Sequence, residues 1–125
     1  MKRIINSDKA PAPIGPYSQA VEAGGTLYVS GQIPIDPSTG ALVEGDISKE
    51  THQVMKNLSA ILEAAGLNFG AVVKCSIFVA DMNDFATINE AYGSYFQAGP
   101  PARETVEVST LPKNVNVEIS CIAVR

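Results

Sequence analysis

Cysteine, histidine and positive charge are all scarce in this chain, and each scarcity removes a class of function. Two cysteines, Cys75 and Cys121, cannot build a disulfide framework, and with one histidine, His52, no Cys/His zinc set is available. Both cysteines sit in strand-like apolar runs and read as small core residues rather than nucleophiles. Nine basic residues stand against 13 acidic ones, for a formal net charge of −4. The basic residues are scattered, and the one adjacent pair, Lys2-Arg3, reads as solvated. A nucleic-acid partner needs basic side chains gathered on one face, so none is expected. Long apolar runs are missing as well: no stretch approaches the ~18 residues of a membrane span. Met1 to Ala10 lacks the apolar segment of a secretory signal, so no membrane association and a reducing cytoplasmic location are expected. No G-x-S-x-G elbow, P-loop or dinucleotide fingerprint occurs.

What is present is a sequence for one globular domain over residues 1–125, with 46% hydrophobic and 18% charged residues. So low a charged fraction hints that part of the surface is hidden in an oligomer. Lys9 to Tyr17 is too rich in proline to be regular structure, and reads as a loop leading to a first main strand over Thr26–Gln32. Pro34 and the turn Asp36-Pro-Ser-Thr-Gly40 end that strand. Apolar residues at steps of three and four predict a helix from about Ile47 to Ala65, with Asp46 or Ser48 as cap and Gly66 as stop. A strand apolar on both faces follows over Val72–Asp81, then a second helix opening at Asn83-Asp84 and stopped by Gly99-Pro100-Pro101. Strands over Arg103–Val108 and Val115–Val124 close the chain. The order predicts an α+β fold, one mixed β-sheet with two helices packed on one face. No sequence remains to cover the other face, so a second subunit is expected there.

Arg103 carries the most chemical information. Arg3 and Arg125 are terminal, which leaves Arg103 as the one arginine expected inside the fold, at the start of a strand behind two prolines. Its planar fork suits a carboxylate and is charged at any physiological pH. The plainer reading is a surface salt bridge to Glu104 or Glu107. Strand alternation puts Arg103, Thr105 and Glu107 on one face. Glu118 lies in mid-strand between Val117 and Ile119, where a glutamate is disfavoured unless it is paired or working. Taken alone, His52 reads as a surface histidine, Gly24-Gly25 as a turn, Tyr17 as a loop aromatic and Ser30-Gly31 as strand-end geometry.

A pattern ties these residues together. It consists of Ala12-Pro-Ile-Gly-Pro-Tyr-Ser-Gln19, Ser30-Gly-Gln-Ile-Pro34, Asn57-Leu-Ser-Ala-Ile-Leu-Glu-Ala-Ala-Gly66 and Val79-Ala-Asp-Met-Asn-Asp-Phe85. Pro101-Ala-Arg103, Val106-Glu-Val108, Leu111-Pro-Lys113 and Glu118-Ile119 continue it. In this order and spacing the chain resembles, over nearly its whole length, the reactive-intermediate imine deaminase family, also called Rid or YjgF-like. The resemblance implies a chorismate-mutase-like fold assembled as a homotrimer, with active sites between subunits. It also implies that the last strand lies between the first two main ones instead of pairing with its sequence neighbour. The implied activity is hydrolytic deamination of 2-imino acids, 2-iminobutanoate and 2-iminopropanoate, to 2-keto acids and ammonia, with no metal or organic cofactor.

Carried over position by position, Arg103 would hold the substrate carboxylate and Glu118 would orient the attacking water. Tyr17, Ser30, Gly31, Asn89 and Thr105 would line the pocket. Thr105 stands where many relatives have cysteine, which excludes a covalent thiol adduct there. Ser120 replaces a second glutamate, and Glu104 a small residue. The competing readings are a small-acid-binding regulatory trimer without turnover, and a translation-inhibitor-type endoribonuclease; the acidic composition counts against the latter.

Overall fold

The computed structural model describes residues 1–125. Eight elements build it: strands β1 (Arg3–Ile5), β2 (Ala20–Ala23) and β3 (Thr26–Gln32), helix α1 (Ile47–Ala64), strand β4 (Val72–Val79), helix α2 (Phe85–Gly93), and strands β5 (Ala102–Glu107) and β6 (Val117–Val124). All six strands form one mixed sheet in the order β1-β2-β3-β6-β4-β5. As the resemblance implied, β6 lies between β3 and β4 and runs antiparallel to both. β5 is the edge strand, parallel to β4.

Two departures from the sequence reading concern the start of the chain. The region before residue 26 contains β1 and β2, which form an antiparallel meander with β3. Strands of three and four residues are too short for alternation to register. The joint between β2 and β3 is the two-residue loop Gly24-Gly25, with φ of +57° and +79°, a left-handed conformation that favours glycine and suits a tight hairpin. Lys2-Arg3 is also not merely a solvated pair, since Arg3 lies in β1 and its guanidinium binds Glu22 at 2.9 Å.

The helices follow their capping chemistry. The Asp46 carboxylate accepts the Lys49 N–H at 3.0 Å and starts α1. Gly66, at φ +75°, ends it, with the Leu67 N–H returning to the Leu62 carbonyl at 2.9 Å. Helix α2 stops at Gly93, well short of the expected Gly99-Pro100-Pro101, and Tyr95 and Phe96 pack beyond its end. Both helices cover one face of the sheet. There Leu27, Val29, Cys75, Ile77, Val117, Ile119, Cys121 and Ala123 meet Val54, Met55, Leu58 and Ile61 of α1 in the core.

The expected two-sided burial of β4 gives way to alternation. Cys75, Ile77 and Val79 are buried, whereas Val73 is 45% exposed. The face away from the helices is only partly covered in the single chain: Phe78 packs against Ile33, Ile35, Leu111 and Val115, whereas Tyr28 and Val106 lie exposed at 51% and 40%.

Candidate functional site

Residues directly opposite each other on adjacent strands share a face of the sheet. Arg103 is opposite Cys75 and Thr105 is opposite Ile77, so both project to the helix side. The Arg103 guanidinium, half-buried at the sheet edge, donates to the Asn89 Oδ1 on α2. It also lies 5.6 Å from the Phe85 ring centroid and 5.3 Å from that of Tyr92. Such stacking holds the planar group without using up its charge.

The salt-bridge alternative does not describe this arginine. Glu104 faces the other side, paired to Lys74 at 3.0 Å and accepting from the Ser76 hydroxyl. Glu107 accepts the Met82 N–H at 2.7 Å. No carboxylate of the chain pairs with Arg103. Beside it are two further polar groups: the Thr105 and Tyr92 hydroxyls are buried without a hydrogen-bond partner.

Arg103 is not the only arginine built into the fold. Arg125 binds Glu22 through Nε at 3.0 Å and Nη2 at 2.8 Å, and also donates to the Ala65 carbonyl at the end of α1. Arg125 and Arg3 together hold the Glu22 carboxyl down at about 2. Those two arginines are spoken for, and Arg103 is the one without a carboxylate partner.

Glu118 is opposite Phe78, on the face away from the helices. It therefore sits on the other side of the sheet from Arg103. It lines a crevice of about 430 Å³, open mouth included, with Pro11, Ile14 and Tyr17 of the proline-rich loop, Gly31 and Gln32 of β3, and Pro112. Burial pushes its carboxyl above the ordinary 4.5, and no cation pairs with it. The register of β3 against β6 slips between Val29 and Gln32, a bulge that opens the sheet at Ser30-Gly31. At Gly31 an added Cβ would lie 2.9 Å from Glu118 Cδ and 3.1 Å from its Cγ. Only glycine leaves room for the carboxylate in this position.

Tyr17 lines this crevice, and Ser30 lies next to Gly31 on the same side of the sheet. Tyr17 is half exposed, and its hydroxyl accepts the Ile14 N–H at 3.1 Å. The Ser30 hydroxyl donates to the Ser18 carbonyl at 2.7 Å, which commits that proton to the loop. The seven residues thus divide into two groups: Arg103, Asn89 and Thr105 on one face, and Tyr17, Ser30, Gly31 and Glu118 on the other. The stacking of Phe85 and Tyr92 on a cation carried no sequence signal. His52 is held by the Tyr95 hydroxyl, 2.8 Å from its Nδ1. Desolvation and then the neighbouring Cys75 push the Cys121 thiol up to about 12, and burial raises Cys75 too, so neither is a ready thiolate.

Fold and side chains define a class: a small α+β protein that offers a free guanidinium on one sheet face and a protonatable carboxyl in a crevice on the other. The chain belongs to the family described as Endoribonuclease L-PSP, the Rid family, whose profile matches residues 7–125. A Mus musculus relative named 2-iminobutanoate/2-iminopropanoate deaminase is 51% identical over 125 residues, covering 100% of this chain and 93% of the relative. Among solved structures, YyfA of Yersinia pestis, a conserved Rid family protein, superimposes with a TM-score of 0.98 at 50% identity over 100% of both chains. E. coli TdcF with bound serine gives a TM-score of 0.94 at 45% identity, covering 98% of each chain.

Proposed function

We propose that this protein hydrolyses small 2-imino acids, 2-iminobutanoate and 2-iminopropanoate, to the 2-keto acids and ammonia. The observation that carries the reading is the half-buried Arg103 guanidinium, stacked and oriented yet without a carboxylate of its own. A fork so held is complementary to the carboxylate of a small acid. The mouse relative's name supplies the reaction class.

In the proposed reaction, Arg103 clamps the substrate carboxylate, with Asn89 and the Thr105 hydroxyl beside it. Water held by Glu118 adds to the imine carbon; a C–O bond forms and Glu118 takes the proton. The carbinolamine then collapses as Glu118 returns that proton to nitrogen: the C–N bond breaks, the hydroxyl oxygen forms the C=O bond, and its proton passes to the departing ammonia, which leaves as ammonium. An iminium carbon is already electrophilic, so orienting one water beside a fixed substrate supplies much of the acceleration. A positioned base adds typically about 10²–10⁴-fold. No cofactor enters this scheme.

Because Arg103 and Glu118 lie on opposite faces of one sheet, a single site would draw them from two copies. Arg103 sits on the edge strand β5, where it can reach a neighbour, and the partly covered face that bears Glu118 has apolar side chains to bury. A closed trimer would meet both requirements three times over. No helix of the chain is long and apolar enough to cross a membrane, and its two free, buried thiols suit the reducing cytoplasm. The ribonuclease reading suggested by the family description lacks support from charge, since the net charge is −4 and Arg3, Lys74 and Arg125 are neutralised in ion pairs.

The test couples the protein to a threonine dehydratase that releases the enamine precursor, and follows loss of imine together with keto-acid formation. Acceleration by wild type and its near-abolition in Arg103→Ala are expected. A wild-type rate equal to buffer would leave the non-catalytic binding protein as the better account.

A further inference from the structure

We propose that Gln19 is a positioning residue of the Glu118 crevice, the latch that fixes the proline-rich loop against the sheet. This rests on the deaminase reading for its kinetic consequence, but not for its structural one. Gln19 is 3% exposed and precedes β2. Its Oε1 accepts the Ser7 N–H at 2.6 Å. Its Nε2 donates to the carbonyls of Pro11 at 2.9 Å, Ser7 at 3.2 Å and Ala10 at 3.4 Å. All four partners are backbone atoms of one short stretch, and the backbone of Gln19 itself accepts the Ser30 N–H at 2.9 Å.

The physical need is plain. Pro11, Pro13 and Pro16 have no N–H, so this loop cannot join a ladder, and its inward carbonyls would be buried without donors. A primary amide is the side chain that gives two donors and one acceptor from a single centre. Its orientation is fixed by its partners: turned over, nitrogen would face an N–H and oxygen would face three carbonyls. The amide thus grips Ser7 to Pro11, at the root of the loop bearing Ile14 and Tyr17, while the backbone carbonyl of the same residue accepts from Ser30, so the loop and the Ser30-Gly31 bulge, two walls of the crevice, are joined at Gln19. Neither wall touches Arg103, which lies across the sheet. Losing the latch is therefore expected to misplace the water-holding side while leaving the carboxylate anchor intact.

The experiment compares Gln19→Glu, which keeps shape but presents an acceptor to three carbonyls, with Gln19→Met, which keeps length without polar atoms. Native-state amide exchange is read across residues 7–17 and across β4 and β6, and kcat and KM are measured on dehydratase-generated 2-iminobutanoate. Expected are exchange at least 10-fold faster in the loop with β4 and β6 unchanged, and kcat lowered at least 10-fold with KM within about threefold, since small misplacements in a site cost up to about 100-fold. Should Gln19→Glu fail to fold, Gln19→Met carries the test alone. An unaltered loop, exchange accelerated equally throughout the sheet, or a released loop with wild-type kcat would each overturn the proposal. If wild type itself shows no turnover, the deaminase reading fails. The exchange pattern then decides the latch by itself: release confined to the loop supports it, and uniform or absent release refutes it.

Discussion

Replacing Gly31 with alanine tests the crevice at its tightest point. The added Cβ would stand 2.9 Å from Glu118 Cδ, whereas ordinary carbon contacts fall at about 3.5–4.0 Å. The carboxylate must therefore retreat by about 0.6–1.1 Å. Gly31 is not among the glycines at positive φ, so alanine meets no backbone penalty and the whole effect comes from the collision. Overpacking of this kind costs roughly 1–3 kcal/mol, toward the low end here because the displaced atoms end a flexible side chain. The catalytic loss should be larger than the stability loss: a shift near 1 Å in a positioned group lowers the rate by about 100-fold. Stopped-flow or coupled imine assays give kcat, and urea unfolding gives the stability change. Adding Glu118→Asp to Gly31→Ala shortens the obstructing side chain and should recover stability without recovering rate. A Gly31→Ala protein with wild-type kcat would refute the assignment of Glu118 to the reaction.

Three further outcomes follow from the same geometry. Arg103→Lys keeps the charge but loses the fork, the Asn89 bond and the stacking on Phe85 and Tyr92; kcat/KM should fall by at least ~10-fold, mainly through KM, because a bidentate clamp becomes a point charge. The Glu118 carboxyl, raised by burial above 4.5, should give kcat/KM an acid limb that rises with pH through this elevated value and disappears in Glu118→Gln. Linkage carries the opposite sign for stability, because the fold favours protonated Glu118. The penalty for ionising it is absent below the unfolded carboxyl range and complete above the raised value, so Glu118→Gln should be the more stable protein at neutral pH by urea titration. Finally, Arg103→Ala and Glu118→Gln proteins, each reduced to a small residual rate alone, should regain about a quarter of wild-type activity when unfolded and refolded together as a closed ring of random composition, because about one interface in four then carries both native groups. No recovery would mean that each site is built within one chain.

How legible this was from sequence depended on the length scale of the signal. Helix α1 was readable because its stripe repeats over five turns and Asp46 and Gly66 mark its ends. β1 and β2 were not, because three or four residues hold no period, and Gly24-Gly25 reads the same before a strand as inside a hairpin. The end of α2 was misread because Tyr95 keeps the helical spacing while packing from a turn beyond Gly93. Alternation correctly put Arg103 with Thr105 and Glu118 with Ser120, but alternation is relative within a strand. Only the pairing of β4 with both β5 and β6 reveals that the two sets face opposite ways. The free state of Arg103 was likewise invisible, since it depends on where Glu104 and Glu107 send their carboxylates.

That opposition links assembly to chemistry under the two-copy reading. A sheet that covers one face with helices and leaves Tyr28 and Val106 bare on the other has apolar area to remove from water. If a neighbouring copy covers it, the same event brings a guanidinium from across that neighbour's edge strand to the Glu118 crevice. Neither group needs the other for folding: Arg103 is held by Asn89 and two rings, and Glu118 is given room by Gly31. On that reading each half of the site is preorganised in the monomer and would be inert there. Association would supply the missing half without rearranging either, so activity should follow the fraction assembled as the protein is diluted, with no slow conformational step after subunits meet.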